Sequence, residues 1–256
     1  MNWLHTVVLG IVEGLTEFLP VSSTGHLLLT ARILGLPQTD YMKTFEIAIQ
    51  LGAILAVVMV YWRRFLLDMR TLRRVFAAFL PTAVIGLLLY KTIKHFLLNS
   101  YSIVLWALGI GGVILILFDQ WAREKQDPIR TTSEVPFSKA FGIGVVQSLS
   151  VVPGVSRSAA TIVGGMFFGL DRRTAVEFSF LLAVPTVLAA TVLELVHNAG
   201  AFDEAGWKLL FLGGSVAFLV AIVSIRLFIR YVQKNLLTLF GVYRIAVAVL
   251  FWALVK

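Results

Sequence analysis

The chain's apolar residues fall into runs near residues 3–19, 22–35, 44–62, 75–92, 102–118, 140–152, 156–170, 174–196, 208–229 and 237–255. The lengths of these runs constrain the fold more than any other feature. A helix needs about 20 residues to cross the hydrocarbon core of a bilayer. The third to fifth runs and the last three approach that length. The first two are separated at Pro20, and the sixth and seventh at Pro153-Gly154, and no member of either pair crosses comfortably alone. Each broken pair therefore reads as a re-entrant helix–loop–helix that enters and leaves on one side. The expected fold is an all-α integral membrane protein with six transmembrane helices and two re-entrant pairs. Only 14% of the residues are charged, against about one-quarter in soluble domains. A transmembrane barrel would show short alternating segments, and the runs here are unbroken.

An internal repeat organises these elements. Residues 10–26, GIVEGLTEFLPVSSTGH, align without gaps with 144–160, GVVQSLSVVPGVSRSAA. Gly10, Val12, Leu15, Val21 and Ser22 coincide with Gly144, Val146, Leu149, Val155 and Ser156. Further on, FEIAIQLGAI (45–54) echoes VEFSFLLAVP (176–185), including Glu46 with Glu177. The expected layout is one membrane domain over 1–256, with a first repeat at 1–120 and a second at 139–256. A polar, weakly ordered linker near 121–138 joins them. One re-entrant pair and three spans per half give an odd number of crossings, so the halves should be inverted.

The net charge of +8 matters here for its placement and does not imply a nucleic-acid partner. In the expected layout, 14 of the 22 basic residues lie on the linker's side, Arg63, Arg64, Arg123, Lys125 and Lys234 among them, and 6, including Lys43, Lys94 and Lys256, on the other. Arg157 and Arg244 fall within the membrane. The positive-inside rule then puts the linker in the cytoplasm and both termini outside. Cysteine is absent, which excludes disulfides, thiolate metal sites and cysteine nucleophiles. The first residues lack the basic start of a cleaved signal, so the N-terminus is expected to stay in the membrane.

The broken pairs carry the chemistry. A helix that begins inside the membrane presents unpaired N–H groups and a positive dipole end, which suits phosphate. In PVSSTGH the proline ends one half-helix, and Ser22, Ser23 and Thr24 can cap the next. In PGVSRSAAT the pattern recurs with Ser156, Arg157 and Ser158. If the halves are inverted, both tips meet near the midplane and form an oxyanion cradle. Glu13 and Glu17 share a helix face, and His26 follows Ser22 and Ser23 on one face of the second half-helix. The second half has Gln147, Val151 and Ala160 at the positions of Glu13, Glu17 and His26, and adds Arg157 opposite Ser23. Ionisable side chains at membrane depth are costly enough to suggest a task.

Purely structural readings exist for each residue. Ser22 and Thr24 can be simple caps. His26 can be a helix–helix hydrogen-bonding group, and Glu13 can form an ion pair with Arg157. Glu46, Glu177 and Arg244 sit near span ends or interfaces in the expected layout and can pair with one another.

The stretches EGLTEFLPVSSTGH and PGVSRSAATI resemble the two signature segments of the bacterial undecaprenyl-diphosphate phosphatases of the bacitracin-resistance type. The likeness extends through TFEIAIQLGAILAVV and EFSFLLAVP over essentially the whole chain. One departure is Ala159, where the family pattern often has glycine. The resemblance implies hydrolysis of undecaprenyl diphosphate to the monophosphate in the bacterial cytoplasmic membrane, recycling the cell-wall lipid carrier and conferring bacitracin resistance. It also implies that Glu13, Glu17, Ser23, His26 and Arg157 are catalytic, with Ser22, Thr24, Ser156 and Ser158 helping Arg157 to bind phosphate. Ser23, at a helix N-terminus beside a histidine, is the leading candidate for the attacking group, with His26 taking or returning its proton; direct attack by His26 comes second and a water activated by Glu17 third. Glu13 and Glu17 would polarise that water or hold Mg²⁺ or Ca²⁺. The implied partners are a polyprenyl diphosphate and the bilayer, with a homodimer left open; the site should face the periplasm. A different class also fits the plan, since transporters, including a polyprenyl-phosphate flippase, use inverted repeats with broken midplane helices. A transporter has no need for a nucleophile, a base and two carboxylates in one cluster.

Overall fold

A computed structural model describes residues 1–92, 100–121, 127–232 and 236–255, and no strand is present among them. Lys94, Arg123, Lys125, Lys234 and Lys256 of the charge count, and linker residues 122–126, lie outside the described residues. Among the described residues, twelve α-helices follow in order. The first re-entrant pair is α1 (Trp3–Thr16) and α2 (Ser23–Ile33), and α3 (Asp40–Ala48) runs into α4 (Gln50–Val60) through Ile49. The short α5 (Trp62–Leu67), α6 (Met69–Thr92) and α7 (Tyr101–Trp121) complete the first half. The second half contains α8 (Phe137–Gln147), α9 (Arg157–Phe167), α10 (Arg172–Asn198), α11 (Glu204–Val232) and α12 (Thr238–Val255).

Stretches Asp40–Val60, Met69–Tyr90, Tyr101–Trp121, Arg172–Asn198 and Glu204–Val232 are long and apolar enough to cross a membrane. The protein is thus a multi-pass helical membrane protein. The remaining expected span is α12, whose described apolar part, Thr238–Ala253, is shorter. At a rise of about 1.5 Å per residue, α2, α8 and α9 reach only about half the thickness of a hydrocarbon core. Large apolar side chains such as Leu88, Val196 and Phe211 stand on the outer surface, where lipid would cover them.

Small residues set the helix crossings, as expected where dispersion replaces hydrophobic drive. A Cβ on Gly10 or Gly14 of α1 would lie 2.7 Å from the Gly213 carbonyl oxygen or 2.6 Å from that of Ala217, both on α11. A Cβ on Gly144 of α8 would lie 2.0 Å from the Ala78 carbonyl on α6. The leading helix of each broken pair therefore rests on a long helix from the other half. Between α7 and α12 the approach is reciprocal: a Cβ on Gly112 meets the Gly241 carbonyl at 2.6 Å, and one on Gly241 meets that of Gly112 at 2.6 Å.

Two expectations need correction. The described part of the linker is packed, not loose. Thr132 and Val135 are buried, Ile129 exchanges backbone hydrogen bonds with Gly169 (2.9 Å) and Asp171 (3.0 Å), and Arg74 donates to the Val135 carbonyl at 2.6 Å. Nor do Glu46, Glu177 and Arg244 pair with one another. Glu46 accepts from Gln38 at 3.2 Å, Glu177 accepts from Arg64 at 3.1 Å, and Arg244 lies in the interior without either.

Candidate active site

The two helix breaks share an unusual backbone. Ser22 has φ 72° and Ser156 φ 68°, the positive-φ residues other than glycine among those described. Their ψ angles, 91° and 108°, are also close. A side chain in this region costs about 1–3 kcal/mol and persists only where its surroundings fix it. Each serine starts a helix, accepting from Gly25 N–H at 3.4 Å and from Ala159 N–H at 3.2 Å. The first turns of α2 and α9 thus present their remaining N–H groups to the space between the tips.

Side chains bind the tips together. Ser158 Oγ donates to the Leu19 carbonyl at 2.6 Å. Arg244, fully buried, donates to the carbonyls of Pro20 (3.3 Å), Val155 (3.3 Å), Gly154 (2.8 Å), Ala107 (3.0 Å) and Leu108 (3.3 Å). A chain reversal inside a membrane leaves carbonyls that water cannot reach. One guanidinium, whose donors spread in a plane, satisfies those of both tips and of α7 at once. The sequence had flagged Arg244 as intramembrane but gave no sign of these distant partners.

Between the tips is a cavity of about 130 Å³, lined by Glu17, Ser22, Ser23 and Thr24 from the first break and by Ser156 and Arg157 from the second. Gln50 and Thr186 close other sides, two residues that sequence reasoning passed over because a lone polar residue in a span has no signature. Ser23 Oγ donates to Glu17 Oε2 at 2.5 Å. Arg157 Nη2 contacts Glu17 Oε1 at 3.2 Å and the Glu17 carbonyl at 3.3 Å, and Nη1 donates to the Ser179 carbonyl at 3.0 Å. Arg157 Nε is buried without a partner. A hydroxyl, a carboxylate and a guanidinium are thus linked in series at the cavity wall.

The other candidates are placed differently. Glu13 is fully buried one turn before Glu17, and neither of its oxygens has a hydrogen-bond partner. It does not pair with Arg157, whose carboxylate partner is Glu17. His26 is not bonded to Ser23: Nδ1 lies 2.8 Å from the Ser22 carbonyl and Nε2 lies 2.8 Å from the Tyr243 hydroxyl. Ser158 is committed to Leu19 and does not line the cavity. Gln147, at the repeat position of Glu13, donates to Thr82 at 2.8 Å and to Thr186 at 3.2 Å, behind the cavity wall.

Fold and site together define a membrane-embedded helical bundle with a polar-lined cavity between two helix N-termini. The sequence model for the bacitracin resistance protein BacA family matches residues 6–250, so the chain belongs to that family. It is 49% identical over 253 residues to an undecaprenyl-diphosphatase of Aquifex aeolicus, covering 99% of this chain and 98% of the relative. It is also 49% identical over 252 residues to one from Sulfurihydrogenibium sp., covering 98% and 99%. An undecaprenyl-diphosphatase of Campylobacter fetus is 46% identical over 256 residues, covering 98% of each chain.

Proposed function

We propose that the protein removes the terminal phosphate of undecaprenyl diphosphate, leaving the lipid monophosphate that carries cell-wall precursors. The observation that carries this reading is the Ser23–Glu17–Arg157 series at a cavity between two helix N-termini. Ser23 Oγ attacks the terminal phosphorus while its proton passes to Glu17 Oε2, the acceptor of its hydroxyl hydrogen bond. The bond from that phosphorus to the bridging oxygen breaks, and lipid monophosphate leaves. Water then attacks the phosphorus of the phosphoserine, the bond from Ser23 Oγ to phosphorus breaks, Glu17 returns its proton to Oγ, and inorganic phosphate leaves. Arg157 and the N–H groups of α2 and α9 hold the negative charge that gathers on the non-bridging oxygens.

Glu13 brings an unspent carboxylate next to this series. Its oxygens and those of Glu17 suit a hard divalent cation, Mg²⁺ or Ca²⁺, which binds carboxylate and phosphate oxygens together. Such an ion would neutralise diphosphate charge.

The two halves are read as inverted repeats. In support, α1 rests on α11 as α8 rests on α6, α7 meets α12 reciprocally, and Ser22 and Ser156 share one backbone conformation. The basic residues then favour a cytoplasmic linker, both termini outside, and a cavity opening to the periplasm. The purified protein in detergent should release phosphate from a polyprenyl diphosphate. Lipid movement across vesicles without phosphate release would favour a transporter instead.

A further inference from the structure

The contact between His26 and Tyr243 is not accounted for by the phosphate chemistry above. Tyr243 lies on α12 beside Arg244, and its ring stacks on the imidazole with centroids 5.5 Å apart and planes 7° from parallel. Its hydroxyl meets Nε2 at 2.8 Å, while Nδ1 faces the Ser22 carbonyl at 2.8 Å. A carbonyl can only accept, so Nδ1 carries a proton; in the neutral ring Nε2 is then the acceptor and the phenol the donor. The Ser22 carbonyl therefore fixes the tautomer, and Tyr243 holds the direction in which Nε2 points.

A structural explanation would make this pair a brace for the strained Ser22 tip. The second half of the molecule argues against it. Ser156 adopts the same backbone with Ala160 in the place of His26, and its carbonyl accepts from the Ala160 N–H at 3.1 Å with no side-chain donor in the imidazole's place. Counting from the reciprocal Gly112–Gly241 contact, Ile114 of α7 stands where Tyr243 stands on α12. The imidazole of the first half and the phenol of the second meet beside the tip that carries Ser23, and the corresponding positions at the other tip, Ala160 and Ile114, are both apolar. The tip forms without them.

We infer that Tyr243 is a positioning residue of the phosphatase reaction, acting through His26 by holding the imidazole and its basic Nε2 in one orientation beside the Ser23 tip. The inference rests on the phosphatase reading of the site, which phosphate release by the unaltered protein and its loss in Ser23→Ala test separately. Tyr243→Phe keeps the stacked ring and removes only the hydroxyl. In the purified protein it should lower kcat by about tenfold, a fraction of the roughly 100-fold or more that one acid–base group contributes, with KM and thermal unfolding unchanged. In a His26→Ala background the same change should have no further effect, because the phenol has nothing left to orient. Imidazole ¹⁵N spectra should show Nδ1 protonated in the unaltered protein and an altered Nε2 signal in Tyr243→Phe. Full kcat in Tyr243→Phe would overturn the inference. So would an equal loss of kcat in the His26→Ala background, or a fall in kcat that only tracks lowered thermal stability.

Discussion

Ser23 donates its hydroxyl to Glu17 across 2.5 Å, and the other oxygen of that carboxylate is held at 3.2 Å by Arg157. The contact joins residues six apart across a broken helix, a separation that a continuous helix would place on different faces. It exists because the chain turns at Pro20 and Ser22 before α2 begins. If Ser23 is the nucleophile and Glu17 its base, Ser23→Ala should lose about three or more powers of ten in rate, as loss of a triad nucleophile does. Glu17→Gln should be comparably severe, and the double variant little worse than either alone, because the two act as a unit. Phosphate release under single-turnover conditions is the measurement. A Ser23→Ala protein retaining a tenth of its activity would reduce the serine to a helix-capping residue.

Arg157 uses its geometry as well as its charge. One nitrogen faces Glu17 and another the Ser179 carbonyl, while Nε remains unspent in the interior. Lysine offers one point charge and cannot reproduce that fork. Arg157→Lys should therefore lose about 100-fold in kcat/KM, the scale of one lost transition-state donor, while its thermal unfolding in detergent stays close to that of the unaltered protein. Near-normal turnover would reject the clamp.

The legible parts of the molecule were those written locally. Proline followed by serines marks a helix end and a new helix start within a few residues, so both tips and their Ser22 and Ser156 caps could be read from the sequence. The repeat gave their correspondence. Partnerships made by distant segments could not be read in this way. Arg244 reaches Pro20 from 224 residues away, and no local pattern encodes that distance. The spacing of Ser23 and His26 suggested a pair, yet spacing does not fix χ angles, and the imidazole turns to Ser22 and Tyr243 instead. The run at 44–62 was legible as a span, but its start at Asp40 depends on the Thr39 cap.

Arg244 should matter for stability more than for chemistry. Replacing it with leucine leaves carbonyls of Pro20, Gly154 and Val155 in the interior without donors. Each buried group left unsatisfied costs about 1–3 kcal/mol. Arg244→Leu should lower thermal stability in detergent sharply and lose activity as the tips separate. Unfolding at the same temperature as the unaltered protein would mean that the tips hold themselves.

The same logic separates two glycines, Gly52 of α4 and Gly86 of α6. A Cβ on Gly52 would lie 1.9 Å from the Gly214 carbonyl oxygen, so α4 and α11 would have to move apart; Gly86 has nothing within 4 Å of that position. Overpacking of this kind costs about 1–3 kcal/mol. Gly52→Ala should lower the unfolding temperature in detergent, whereas Gly86→Ala should leave it unchanged or slightly higher, since alanine is the better helix former. Equal behaviour of the two variants would show that the α4–α11 approach is not close-packed.

The proposed orientation can be tested at the cavity wall. The chain contains no cysteine, so a single engineered thiol reports one position. Ser150 lines the cavity beside the second break, and it is not among the residues placed in the phosphate chemistry. If the cavity opens to the periplasm, Ser150→Cys in intact cells should react with a membrane-impermeant maleimide added outside, and excess polyprenyl diphosphate should slow the reaction by filling the cavity. A cysteine at Arg130, within the linker, should react only after the cells are opened. Reversal of the two labelling patterns would place the linker outside and turn the site toward the cytoplasm.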